Sequence, residues 1–301
     1  MTPQDKPATK AEKSPDRRRR KRPAVLMLVA VLVAVAVGSG GYALWKSVSK
    51  RVLAAPQFVV KAEAVTVTPP PAWVRSDVKV EVVREIELAG PVSILDDDLG
   101  ERFYEAFAAH PWVSKVVRVL KRPPAGVEVE LIYRRPVLMV LVPDGLLPVD
   151  GQAVQLPTAD FSALEAQRYP RIDVGHATPP PAGTRWSDRR VVSAAALAAA
   201  LIDDWQELGL HHLAFAHESS SAGAFEFELF TKKGSCVAWG VAPGDSEAER
   251  AATADKLSRL RQYAAEHGTL DGARGPQNLD VRSPHGVEVT PRAAARPVEH
   301  R

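Results

Sequence analysis

The chain has 301 residues, 46% apolar and 25% charged, which is enough for one or two ordinary cores and excludes a fibrous or wholly disordered protein. Residues 1–22 hold nine Lys/Arg against three Asp/Glu, leaving 30 basic and 33 acidic groups on the other 279 residues, so the body has no excess positive charge for binding nucleic acid. Cys236 is the only cysteine, which excludes an intramolecular disulfide and a cysteine-cluster zinc site.

Residues 1–23 read as a disordered basic tail ending in Arg17, Arg18, Arg19, Arg20, Lys21 and Arg22. An apolar run from Ala24 to Val37 follows and continues more weakly to Leu44, so 24–45 is expected to form one transmembrane helix with Tyr42 and Trp45 at the far headgroup level. The six consecutive cations are a topology signal that places the N-terminus in the cytoplasm. The strictly apolar part, 14 residues, also fits the h-region of a cleaved signal peptide. Gly-Ser-Gly-Gly-Tyr follows it without a clear small-x-small site, which favours an uncleaved anchor.

Residues 46–77, with Pro56 and Pro69-Pro70-Pro71, read as a linker. In 78–136 the alternation of Val78, Val80 and Val82 with Lys79 and Glu81, resumed by Ile86 and Leu88, predicts a half-buried strand. Asp96 is placed to cap a helix bearing Leu99, Phe103 and Phe107, which His110-Pro111 stops. Strands are predicted at Val113–Leu120 and Val127–Tyr133, around Lys121-Arg122-Pro123-Pro124-Ala125-Gly126.

From 137 to 290 short strands and turns predominate. Strands are expected at Val137–Val142, around Leu147 and Val149, and at Val154 to Leu156. A helix opening at Ser187 or Asp188 carries Leu197, Leu201, Trp205 and Leu208 and ends at Gly209. Strands follow at Leu213–His217, Ala224–Phe230 and Cys236–Val241. A second helix begins in the capping box Ser246 to Glu249 and bears Leu257, Leu260 and Tyr263. Leu279–Arg282 and Val287–Thr290 form the last strand pair, and 291–301 a disordered tail. The fold class is thus α+β: one N-terminal transmembrane helix, a small α+β module, and a mixed or antiparallel sheet with two helices packed on it.

The common hydrolase, P-loop and zincin signatures are absent, and no catalytic residue, cofactor, metal site or small-molecule substrate is assigned. His211 and His217 could converge on a metal, whereas the adjacent His212 points to the other face of a strand; solvent-facing histidines are the simpler reading. Cys236 reads as a small buried hydrophobe. Asp96-Asp97-Asp98 lacks the spacing of an EF-hand loop and suits a helix start.

The ordered set His110-Pro111-Trp112-Val113, Val117-Arg118-Val119, Lys121-Arg122-Pro123-Pro124, Val127-Glu128-Val129 and Tyr133-Arg134-Arg135-Pro136-Val137 resembles the end of the POTRA domain in FtsQ/DivIB cell-division proteins. Pro148-Val149-Asp150-Gly151 is similar to that family's step into its β domain, and Asn278-Leu279-Asp280-Val281-Arg282 with Gly286-Val287-Glu288-Val289 to its closing strand pair. Tyr133 stands where the family usually has an acid, and the first half of the POTRA-like domain reads as shortened, with Asp96 following the first strand almost directly. The resemblance implies a non-enzymatic scaffold in the inner membrane at the division septum. It binds partners resembling FtsB and FtsL by strand addition at its last sheet edge. It implies Arg282, Ser283, His285, Gly286, Val287 and Val289 as partner-binding residues. Two other classes share some of these features: a POTRA-type anchor in protein export or outer-membrane assembly, and a membrane-tethered cell-wall hydrolase.

Overall fold

The computed structural model describes residues 21–53, 57–216, 225–244 and 246–292, and the chain divides into two compact units at Val60. The basic run Arg17 to Arg20, the residue His217 and the tail from 293 lie outside the described residues.

The first unit is dominated by helix α1, Lys21–Leu53. Its Leu26–Lys46 stretch, 21 residues of mean hydropathy 2.1 with none of its side chains buried, is long and apolar enough to cross a membrane. The chain is therefore compatible with a single-pass membrane protein. The helix starts three residues before the expected span, at Lys21, and runs eight residues beyond it, because Lys46 to Leu53 contain no helix breaker.

The second unit begins with β1 (Val65–Val67), α2 (Val78–Leu88), α3 (Leu99–Ala109), β2 (Val113–Arg122) and β3 (Gly126–Tyr133). The sheet order is β1-β3-β2, with β1 parallel and β2 antiparallel to β3. Here the structure corrects two expectations. Val78–Leu88 is a helix, not a strand: Val78, Val82, Val83 and Ile86 are buried along one helical face while Val80 is 52% exposed, and the Asp77 carboxylate accepts from the Val80 N–H at 3.0 Å as its N-cap. The first strand lies instead in the stretch expected as linker, where Val65 to Val67 pair with Val127 to Val129. Helix α3 does bury Leu99, Phe103 and Phe107, but Asp98 occupies its N-cap position and Asp96 accepts from the Ser93 N–H at 2.8 Å within the preceding turn.

After two residues the chain enters an eight-stranded sheet through β4 (Pro136–Val142) and β5 (Gly145–Asp150), followed by the short α4 (Ala163–Ala166) and β6 (Arg171–Asp173). Helix α5 (Arg189–Leu201) leads to β7 (Leu210–Phe215), β8 (Glu226–Thr231) and β9 (Cys236–Val241). Helix α6 (Glu247–His267) leads to β10 (Gln277–Asp280) and β11 (Glu288–Pro291). The order is β11-β10-β9-β8-β7-β6-β4-β5, with β4/β6, β6/β7 and β9/β10 parallel. Both long helices are crossovers between parallel neighbours that step the same way along the sheet, so the right-handed rule puts them on one face. Leu197, Leu201, Leu257 and Leu260 accordingly share a core with Val140, Ile172, Leu213, Leu229, Val237 and Leu279. The opposite face carries neither α5 nor α6.

Other differences are local. Val154 to Leu156 form no strand of their own; they lie along β5, with the Leu156 N–H donating to the Pro148 carbonyl at 2.8 Å. Helix α5 ends at Leu201, and Trp205 and Leu208 reach the core from turns that close at Gly209, φ +67°. Arg261 of α6 clamps those turns through paired hydrogen bonds of 2.5 and 2.6 Å to Asp204.

The two sheets are tied by buried carboxylates. Asp160 accepts from the Trp112 indole N–H at 2.5 Å and from the Ser76 N–H and hydroxyl at 2.9 and 3.1 Å. Asp150 accepts from Arg134 at 2.7 Å and from the N–H groups of Gln152 and Val154 at 2.9 and 2.8 Å.

Candidate partner-binding edge

Among the described residues, strand β11 is the outermost strand of the large sheet, and all four of its residues are exposed. Its register with β10 runs from Gln277 opposite Pro291 to Asp280 opposite Glu288 without a shift. The Arg292 N–H donates to the Pro276 carbonyl at 3.0 Å, which makes that pair a hydrogen-bonded one. In an antiparallel ladder such pairs alternate. Thr290 and Glu288 therefore turn their backbone groups inward to β10, and Val287, Val289 and Pro291 turn theirs outward to the free edge. Pro291 has no N–H, so the edge offers donors at Val287 and Val289 only.

The six residues implied at sequence level are close in the chain but do not share one surface. Val289 stands opposite Leu279, on the α6 side of the sheet, and is 42% exposed; Val287 packs partly against the core. Arg282 reaches the opposite face. It makes paired hydrogen bonds of 3.0 and 2.6 Å to Asp280, comes within 3.9 Å of Glu226, and lies over Gly240. The hydrogen bond from Arg282 holds the Asp280 carboxyl below its ordinary range and raises the guanidinium in turn. Ser283 accepts from the His285 N–H at 3.3 Å within the turn, and Gly286 takes φ +141°, a conformation that disfavours any side chain.

Sequence reasoning missed the neighbours from α6. Arg259, Tyr263 and His267 line a groove of about 560 Å³ against the turn from Pro284 to Val287. Tyr263 and His267 stack with ring centroids 4.1 Å apart, and Arg259 donates to the Val281 carbonyl at 3.0 Å. Their spacing of four residues puts them on one helical face, which was the available signal.

The other candidates have structural surroundings. Cys236 is buried, and burial pushes its thiol up to about 11. His211 and His212 do not turn to opposite faces: the β7/β8 register shifts between Leu210 and His212, and their Nδ1 atoms lie 3.1 Å apart. His212 stacks on Phe230 at 4.8 Å, and His211 Nε2 contacts Arg171. Among the described residues no group of three or more His, Cys, Asp or Glu is arranged to hold a metal. No protein-family model matches the chain, and no curated protein matches it.

Proposed function

We propose that the chain is a bitopic scaffold of the division machinery, of the FtsQ/DivIB kind, with its N-terminus in the cytoplasm and its folded unit outside. In this reading β1 to β3 with α2 and α3 are a POTRA-type module, and the large sheet is the β domain. The strand-helix-helix-strand-strand order of residues 65–133 supports it, with α2 as the helix missing from the strand reading of Val78 to Leu88. The observation that carries the reading is the free edge at β11: Val287 and Val289 hold outward backbone donors and acceptors beside an exposed apolar side chain. A partner strand, resembling that of FtsB joined to FtsL, adds there; main-chain hydrogen bonds supply affinity, and the flanking side chains supply selection. The role is binding, without catalysis.

A fluorescent fusion on the N-terminus, followed in dividing cells, tests this. Enrichment at the septum and filamentation on depletion are expected. Uniform envelope labelling with undisturbed division would overturn it.

A further inference from the structure

A groove of about 540 Å³ opens where β4, β6 and β7 lie side by side, lined by Leu141, Leu146, Arg171, Asp173, His212 and Ala214. Ile172 and Leu213 belong to the core under α5, so alternation along each strand turns Arg171, Asp173, His212 and Ala214 to the opposite face. Leu141 pairs with Asp173 and is 43% exposed there. These three strands run parallel, and parallel strands are ordinarily covered on both faces. Among the described residues, the groove is thus an apolar stretch of sheet that has one of its two covers.

Arg171 gives that missing cover a charge. Its guanidinium is part-buried; among the described residues its Nε is sealed from solvent without an acceptor, and its contact is with the His211 ring and not with a carboxylate. The nearest acid on its own strand, Asp173, is engaged with the Gly175 N–H at 2.8 Å. A part-buried guanidinium gains most from a planar, bidentate anion, and an unpaired one leaves its desolvation uncompensated. We propose that this groove docks an acidic, apolar segment of a partner protein, with one aliphatic or aromatic side chain set against Leu141, Leu146 and Ala214 and a carboxylate laid on Arg171. The proposal is independent of the reading of β11, which β10, β9 and β8 separate from the groove along the sheet.

The test is selection from a displayed random-peptide library on the full chain in nanodiscs, with counter-selection on Leu141→Asp protein. Enriched peptides are expected to carry Asp or Glu within a few residues of Leu, Ile or Phe. A synthetic winner should bind Arg171→Gln protein at least tenfold more weakly, with that variant's melting temperature unchanged. If Leu141→Asp fails to fold, Leu141→Ser and Arg171→Gln carry the comparison. Winners without an acid, winners that bind the variants as tightly as the parent, or no groove-dependent winners would overturn the proposal. So would a dimer in nanodiscs that Leu141→Ser abolishes, since the occupant would then be a second copy.

Discussion

Asp160 shows how much one side chain can fix. It receives the Trp112 indole and both the N–H and hydroxyl of Ser76, so its carboxylate joins the small sheet's end to the loop after β5. Asp160→Ala leaves those donors unpaired in a buried site and should cost roughly 2–4 kcal/mol, measured as a shift in denaturant midpoint; Asp160→Asn should cost less. His211 and His212 supply a pH dependence. Burial is the main reason that both titrate below the ordinary 6.5, with the Arg171 charge adding to it for His211 and His211 itself adding to it for His212. Unfolded imidazoles take up protons near 6.5 while the folded ones wait for lower pH, so the unfolded state holds more protons in that window. Stability is then full above 6.5 and falls as pH drops through the window. Thermal melts between pH 7.5 and about 5 should show the decline, and the double variant His211→Gln, His212→Gln should flatten it.

Among the elements, α2 separates two readings of one sequence. As a strand, Val78, Val80 and Val82 would share a face; as a helix, Val82 is 1% exposed and Val80 points outward. Val82→Lys should therefore destabilise by roughly 2–4 kcal/mol while Val80→Lys changes stability by less than about 0.5 kcal/mol, read from chemical denaturation. Equal losses would restore the strand. The misreading has a physical source: β-branched valines carry a strand preference that the burial of the 78, 82, 83, 86 face overrides. Helix α3, β2, β3, α5, α6 and the β8–β9 pair were legible because strong periodicity agreed with caps and turns. By contrast β6 was not, since three residues after Pro170 are too few for a period to register, and its place between β4 and β7 is set by long-range pairing. The last strand pair was legible as a hairpin, but the sequence holds no signal for which of its backbone groups face outward. That depends on the Arg292 to Pro276 hydrogen bond.

At the scale of the molecule, one long apolar helix leads to a unit whose two sheets are joined by buried carboxylates and whose large sheet ends in an open strand. The strand addition proposed at that end requires that Val289, and not Thr290, present its N–H to a partner. Proline substitution separates the two, because proline deletes the donor at one position. Co-purification of the proposed FtsB-like and FtsL-like partners with full-length Val289→Pro and Thr290→Pro chains, alongside their melting temperatures, is the most direct measurement. Val289→Pro should keep the parent's melting temperature within a few degrees and lose the partners; Thr290→Pro should lower the melting temperature by breaking the ladder to β10. Undiminished partner recovery with Val289→Pro would contradict the docking edge.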